Sequence, residues 1–419
     1  MSHAERRSVP IADVHTENLL GYVREANLES ATPEVDPFGM IALESFRAQC
    51  DSIPAYEAYA RHVGRGPDMV RDWREVPPVP ASAFKSHDLS ATPQGAEAAI
   101  FETSGTTISR PGRVRLGSTA LYEASLLRNF EAHLLPDGAR LPAIVFGPRR
   151  EDVPRSALWF MVDRAVAQFA AGGEWIVQSG EPRWETADAA LARACRDGTP
   201  ILLLGTTLLF MAYFERLARE ASGVAAGASG AAAAGRRFSL PPGSRAMDTG
   251  GAKGLRSEFA RAEVESAFAR SVGIPPAHIV NEYGMAEMGS QFYDDNLRAA
   301  HEGRAPLHGK RIPPWVRTRV LDPETMEEQP DGRPGLLVHY DLANLEIPLA
   351  IQTEDIGARV GDRLMLEGRL LGSEPRGCSL QFEQFLEQER PAGGAIDPRD
   401  PAADEVAARD PAVEADAAP

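Results

Sequence analysis

Apolar positions change their spacing along this chain, and the changes mark its organisation. Residues 1 to about 35 are polar and weakly patterned, with a short helix expected over 17–26, whereas over 37–63 apolar residues recur at helical intervals through Ile41, Leu43, Phe46, Ile53, Tyr56, Tyr59 and Val63. The chain is therefore expected to open with a helical region. A proline-rich stretch follows, Val76-Pro77-Pro78-Val79-Pro80-Ala81-Ser82-Ala83-Phe84-Lys85, extended and on composition a rigid linker. Helical spacing returns over 118–134 through Leu121, Ala124, Leu127, Phe130 and Leu134, with Ser118 as its cap. Short apolar runs and helical patterns then alternate: strands at 143–147, 174–178 and 200–204, helices at 156–171, 185–196 and 208–221. Strands of about five residues separated by helices of about 12 to 16 need crossover connections, which predicts an α/β fold, its mostly parallel sheets covered by helices. Ligands of such sheets sit at the carboxyl ends of the strands, so the loops beginning at Gly147, Gly205 and Asp248 should share one crevice.

Between 222 and 244 the chain is mostly Ala, Gly, Ser and Pro, and reads as a flexible insertion that buries too little apolar surface to offset its ordering entropy. A turn-rich strand exit, Met247 to Gly254, leads to a helix over 255–272, and a further strand runs into 281–287. Later strands, 335–340 and 347–352, lie among Pro and Gly and should be antiparallel or barrel-like. From 389 to 419 the sequence turns to Ala, Pro, Asp and Glu, with seven acids and two arginines from Pro391 onward, and is expected to be a disordered acidic tail.

The remaining totals exclude more than they assign. A formal net charge of -16 argues against a nucleic-acid binder, whose affinity would come from Lys and Arg on phosphates. Cys50, Cys195 and Cys378 are too widely spaced for a zinc site or a disulfide framework. No stretch approaches the roughly 20 apolar residues of a membrane span. A soluble, cytoplasmic protein is expected.

The chemistry concentrates in loops. Thr103-Ser104-Gly105-Thr106-Thr107-Ile108-Ser109-Arg110-Pro111-Gly112-Arg113 combines hydroxyls, glycines and two guanidinium groups with almost nothing apolar. Such a run, feeding the helix over 118–134, can surround phosphate oxygens. It can equally be a solvated loop, and it lacks the closing Gly-Lys-Ser/Thr of the nucleotide P-loop. Asn281-Glu282-Tyr283-Gly284-Met285-Ala286-Glu287 offers a phenol, a glycine turn and a carboxylate that could stack a base and hold a metal ion. Thr353-Glu354-Asp355-Ile356-Gly357 places carboxylates where ribose hydroxyls could donate, and Glu367-Gly368-Arg369 adds a cation. Taken singly, each also reads as an ordinary turn or strand end.

Their order is more specific. A Thr-Ser-Gly-Thr-Thr loop, the Gly250-Gly251-Ala252 turn, a Tyr-Gly-Met-x-Glu stretch, a Thr-x-Asp-x-Gly turn and a Gly-Arg together resemble the adenylate-forming ligase superfamily. Within it the chain is most similar to the acyl-protein synthetases of bacterial luminescence systems, the LuxE-like long-chain-fatty-acid–protein ligases. Three stretches carry that likeness: 77–85, 101–107 and Gly372-Ser373-Glu374-Pro375-Arg376-Gly377-Cys378-Ser379-Leu380. The resemblance spans about 10–388. It implies that Thr103, Ser104, Gly105, Thr106 and Thr107 cradle the β- and γ-phosphates of ATP. By the same resemblance Gly250, Gly251 and Ala252 line adenine, Tyr283 and Gly284 meet the base, Glu287 binds Mg²⁺, and Asp355 with Arg369 holds the ribose. It also implies a large N-terminal ligase-type domain, with the helical and Pro-rich region over 1–100 and the α/β core over 101–354, plus a small mobile C-terminal part over 355–388.

Two departures bear on catalysis. Ile108 stands where many members have glycine, and the loop lysine is missing, so Arg110 or Arg113 would serve as the cation. No lysine follows Lys310, so either the second domain is reduced or Arg376 contacts the α-phosphate. The chemistry suits this inventory, because a carboxylate nucleophile is already ionised at neutral pH and needs no general base. Cys378, between glycine and serine and two residues from Arg376, is the candidate acyl acceptor, its thiol favoured as thiolate by the nearby charge. A small buried cysteine is the plainer alternative. The expected substrate is a fatty or other carboxylic acid and the expected protein partner an acyl reductase. An acyl- or aryl-coenzyme A ligase and a catalytically degenerate nucleotide-binding scaffold remain open as alternatives.

Overall fold

The computed structural model describes residues 13–26, 28, 37–103, 111–221, 238–250 and 259–369. Three helices lead: α1 (Asp13–Glu25), α2 (Phe38–Ser52) and α3 (Pro54–His62). The buried face of α2 carries Phe38, Ala42, Phe46, Gln49 and Cys50, an apolar stripe at helical spacing with one amide in it. Burial pushes the Cys50 thiol up to about 12, so it is an inert core residue. The proline-rich entry is not a free linker. Its Val79–Pro80, strand β1, pairs in parallel with Ile351 and Gln352, and Ala81–Lys85 is a turn of 3-10 helix. The tyrosines of α3's buried face fix the entry, Tyr56 donating to Pro77 O at 2.9 Å and Tyr59 to Pro78 O at 3.3 Å.

Strands β2 (Ala99–Glu102) and β3 (Arg113–Leu116) form an antiparallel pair around the hydroxyl-rich loop. The chain thus runs back along β3 before α4 (Ala120–Leu134) begins, and the expectation that the loop feeds this helix directly is corrected. Ser118 lies one residue before the formal cap, and its Oγ accepts from the first helical amide, Ala120 N, at 3.2 Å. Thr119 holds the cap position without a side-chain cap bond, and the amides of Gly117 and Ser118 donate to the Glu346 carboxylate.

The alternating segment builds the α/β half from β4 (Ala143–Phe146), α5 (Ala157–Phe169), β5 (Gly173–Trp175), the hairpin β6 (Val177–Gln178) and β7 (Glu181–Pro182), α6 (Trp184–Asp197), β8 (Leu202–Thr206), α7 (Thr207–Ala221), β9 (Arg245–Thr249), α8 (Arg261–Ser271) and β10 (Ile279–Tyr283). The order β5-β4-β8-β9-β10 is parallel throughout. Because successive strand side chains point to opposite faces, Val145, Leu202, Leu204, Met247 and Val280 join one core beneath α1–α5. Their neighbours Ile144, Phe146, Leu203, Ala246 and Ile279 join a second beneath α6–α8. This is the sheet covered on both faces that the alternation predicts. The single strand expected over 174–178 breaks at Ile176 into β5 and β6.

The insertion read over 222–244 ends earlier. Phe238 and Leu240 are buried against the second core, and their amides donate to Ser271 O and Val272 O. Two apolar side chains in one short run supply this burial. Residues 222–237 lie outside the described residues.

After β10 the same sheet continues with antiparallel neighbours. These are β11 (Phe292–Asp294), β12 (Lys310–Arg311), β13 (Val316–Leu321), β14 (Gly335–Asp341), β15 (Ala350–Val360) and β16 (Arg363–Arg369), with α9 (Asn296–His301) after β11. The order β13-β14-β15-β16-β12-β11 joins β10, so these strands are antiparallel as expected but make no separate barrel. Residues 355–369, read as the start of a mobile part, belong to the β15–β16 hairpin of this sheet, with Asp355 opposite Arg369. The remainder of that part and the acidic tail lie outside the described residues.

Candidate active site

Strand register brings the carboxyl ends together. Gly205 lies opposite Phe146 and Asp248, Thr206 opposite Thr249, and Thr249 opposite Glu282. The connections after β4, β8, β9 and β10 therefore leave from one edge. There the Thr249 hydroxyl donates to the buried Glu282 carboxylate. Gly250 follows at φ 72°, a left-handed conformation that glycine adopts without strain. Gly284 has an internal reason to lack a side chain, since a Cβ there would collide with Glu282 Oε1.

Tyr283 ends β10 and donates its hydroxyl to Asp355 Oδ2 at 2.7 Å, a bond between strands that are not neighbours in the sheet. Its ring also meets Phe292 and the buried His339, whose centroids are 5.6 and 6.0 Å away. Burial lowers His339 to about 3, so the imidazole is neutral there. Asp355 is aimed by its own turn. Its amide donates to Thr353 Oγ1 at 3.0 Å, and that hydroxyl donates to Leu337 O at 3.0 Å.

The hydroxyl loop is anchored to the same strand by way of the entry. Thr103 N donates to Gly112 O at 2.9 Å, and Gly112 N to Thr103 Oγ1 at 3.0 Å, closing the loop's neck. That neck lies against the 3-10 turn, because a Cβ on Gly112 would sit 3.0 Å from Phe84 C and O. The entry in turn pairs with Ile351 and Gln352, just before Thr353 and Asp355. Ser104, Gly105, Thr106, Thr107 and Arg110 lie outside the described residues, as do Gly251, Ala252, Arg376 and Cys378. Arg113, the other loop cation, pairs with Glu102 at 3.3 Å, and Arg155 reaches the same carboxylate at 2.6 Å. Lys310 is buried, donating to Asn281 O, Asn281 Oδ1 and Asp294 Oδ1 at 2.7–3.0 Å, which makes it a sheet tie.

Glu287 is buried, and its backbone carbonyl accepts from Asn344 Nδ2 at 2.9 Å. Among the described residues no group of three or more His, Cys, Asp or Glu could hold a metal ion. A site with fewer than three such protein ligands fits Mg²⁺, which draws most of its ligands from nucleotide phosphates and water, and does not fit a metal that needs an all-protein cage.

The sequence reading missed segment 341–349. Gln49, fully buried, donates through Nε2 to Asn344 O, Leu345 O and Ile347 O at 2.6, 3.2 and 2.7 Å, and accepts from Leu349 N at 3.0 Å. Glu346 accepts from the Thr92 hydroxyl as well as from the two amides after β3. Ser290 donates to Asp341 Oδ1 at 2.7 Å and accepts from Trp315 Nε1 at 2.9 Å. The available signal was the one amide, Gln49, on the buried face of α2, which also carries Ser45 and Ser52.

Burial raises the Asp341 carboxyl to about 6, although Ser290 and the Ala343 amide both donate to it. A raised acid favours the fold in its protonated form. That stabilisation is complete below the unfolded value of 3.8 and is lost as pH rises through about 6. Asp341→Asn should therefore flatten the fall in stability between pH 4 and pH 7 by about 3 kcal/mol relative to the parent, from a shift of about two units at roughly 1.4 kcal/mol each. Urea midpoints across that range measure it, and parallel curves for the two proteins would refute the assignment.

No helix among the described residues is long and apolar enough to cross a membrane. Residues 231–386 match the family described as Acyl-protein synthetase, LuxE, a span that contains Gly250, Tyr283, Glu287, Asp355, Arg369 and Cys378. The long-chain-fatty-acid–luciferin-component ligase of Vibrio harveyi is 24% identical over 352 residues, covering 81% of this chain and 85% of the relative. A 2-hydroxyisobutyryl-CoA ligase, solved in its postadenylation state with 2-HIB-AMP, shares the fold with a TM-score of 0.54 at 14% identity, over 83% of this chain and 73% of that one. Against ATP-bound MatB from Rhodopseudomonas palustris the TM-score is 0.44 at 18% identity, over 73% of this chain and 54% of that one. In sequence, then, this chain resembles the acyl-protein synthetases, over 231–386 by family pattern and over most of its length by the Vibrio relative, on an α/β fold of the adenylate-forming ligase type.

Proposed function

We propose that this chain is an acid–thiol ligase that uses ATP to activate a fatty acid as its acyl-adenylate and then carries the acyl group on Cys378 for delivery to a partner such as an acyl reductase. The observation that supports this most is the Tyr283–Asp355 hydrogen bond. It joins two of the expected nucleotide contacts at the strand-end edge where Gly250 also lies, and both fall within the acyl-protein synthetase match. The name of the Vibrio harveyi relative supports a long-chain fatty acid as the acid class.

In the first half-reaction a carboxylate oxygen bonds to the α-phosphorus, the bond to the β-phosphate breaks, and pyrophosphate leaves with that electron pair. No proton is moved, so positioning and charge neutralisation carry the step. Asp355 accepts from ribose hydroxyls and is oriented by Tyr283, while the loop after Thr103 surrounds the terminal phosphates with Arg110 as its cation. Mg²⁺ at Glu287 would add positive charge beside the phosphate oxygens. In the second half-reaction the Cys378 thiolate attacks the acyl carbon, the bond to AMP oxygen breaks, and the thiol proton goes to solvent. Arg376 favours the thiolate.

Incubation with radiolabelled fatty acid and ATP should leave hydroxylamine-labile label on the protein. Cys378→Ser should remove the label and retain acid-dependent pyrophosphate exchange. Label that survives this change would reject Cys378. Label that moves to added coenzyme A would give a soluble thiol as the acceptor, and ATP binding with no exchange under any acid would leave only a scaffold.

A further inference from the structure

Asn344 lies in the turn between β14 and β15, far in sequence from the Tyr283–Glu287 stretch, and is 2% exposed. Its side chain is fully engaged. Oδ1 accepts from Gly289 N at 2.7 Å, and Nδ2 donates to Glu287 O at 2.9 Å and to Pro348 O at 3.3 Å. Two of these bonds grip the backbone on either side of Met288. The approach is close enough to exclude any side chain at 289, since a Cβ on Gly289 would sit 2.8 Å from Ala343 Cβ and O. Asn344 is itself fixed from behind, because its carbonyl accepts from Gln49 Nε2 at 2.6 Å and its amide donates to Asp341 O at 3.0 Å.

Two residues along, Glu346 holds Gly117 and Ser118 at the end of β3, the strand that leaves the hydroxyl loop. Segment 341–349 thus bonds both to the Glu287 turn and to the strand pair that frames the phosphate-type loop. A buried core needs no polar side chain at this point, and burying one is costly unless every group is partnered. What the amide provides that an apolar residue cannot is a directional hold on the peptide that carries Glu287.

We propose that Asn344 is a positioning residue that fixes Glu287 for a divalent cation bound together with nucleotide. The inference rests on the reading of Glu287 given under Proposed function. Residues that orient a metal ligand through its neighbours typically change metal affinity by about 10- to 100-fold when removed.

The test is equilibrium binding of ATP to the full chain by calorimetry, with Mg²⁺ and with EDTA, and no acid present. Asn344→Ala is expected to weaken ATP binding about tenfold with Mg²⁺ and not measurably with EDTA, and Glu287→Gln to do the same. In the double variant the two losses should not add, because the amide acts only through the carboxylate. Additive losses, or an equal loss with EDTA, would overturn the positioning role while sparing Glu287. A Glu287→Gln protein that binds as the parent does would instead overturn the site reading. Should Asn344→Ala fail to fold, amide exchange in the unsubstituted protein decides the matter. Exchange at Gly289 should slow with ATP and Mg²⁺ and not with ATP and EDTA, and identical exchange in both would refute the proposal.

Discussion

Asp355→Ala should lower acid-dependent pyrophosphate exchange about a hundredfold. The Asp355 carboxylate accepts from the Tyr283 phenol at 2.7 Å, and its amide is pinned to Thr353, so the group is oriented before any ligand arrives. Removing it takes from the half-buried Tyr283 phenol this acceptor and removes the acceptor proposed above for ribose hydroxyls. A hydrogen bond to a charged group contributes about 1.5–3 kcal/mol. Two such losses, partly compensated by water at this edge, come to about 3 kcal/mol, or roughly two powers of ten. Because the ribose is bound alike before and during the reaction, the loss should fall on KM for ATP more than on kcat. Asp355→Asn keeps the shape and one acceptor and should lose about tenfold. Initial rates of exchange at varied ATP measure both, and an alanine variant within twofold of the parent would remove Asp355 from the nucleotide site.

The parts of this protein that were legible in advance are those where period alone decides the structure. Val145 and Leu204 face one core while Ile144, Phe146 and Leu203 face the other, so the strands read as continuous apolar runs and the helices between them announce the crossovers. The order of short motifs assigns Tyr283 and Asp355 to one expected site, although no spacing rule states that residues 72 positions apart share a hydrogen bond. What escaped was whatever depended on pairing between distant segments. Val79–Pro80 reads as linker because proline donates no ladder bond, yet the carbonyls still accept, and tyrosines from α3 hold the run against β15. Residues 355–369 are expected to begin a mobile part only through the family resemblance, which carries no information on strand pairing. A Cβ at Gly357 would collide with Met365 O, so that glycine serves the close approach within a hairpin. Asn344 and Glu346 give no signal in the sequence, since turns are rich in such side chains and only the fold reveals which backbone groups they meet.

Gln49→Leu should destabilise the protein by about 4 kcal/mol, the largest effect expected of any substitution outside the strand-end site. Leucine is close to glutamine in volume and helix propensity, and it suits the stripe formed by Ala42, Phe46 and Cys50, so neither packing nor α2 itself should suffer. The cost falls on segment 341–349. Without the amide, the carbonyls of Asn344, Leu345 and Ile347 lose a donor and the Leu349 amide loses its acceptor, all in the interior. Each buried backbone group left unsatisfied costs about 1–3 kcal/mol, and the four losses are not additive because the segment can shift as a unit. Gln49→Glu separates the two halves of the interaction, since it keeps an acceptor for Leu349 N but cannot donate to the three carbonyls and brings a carboxylate into the core. It should be at least as destabilising near neutral pH and less so in acid, where a protonated carboxyl regains one donor. Urea unfolding at constant slope, with amide exchange over 341–349, reads both variants. A leucine variant within about 1 kcal/mol of the parent, with that segment still protected, would mean that sheet pairing of β14 with β15 holds the turn unaided, and that the amide in the α2 stripe is incidental to the geometry of Asn344 and Glu287.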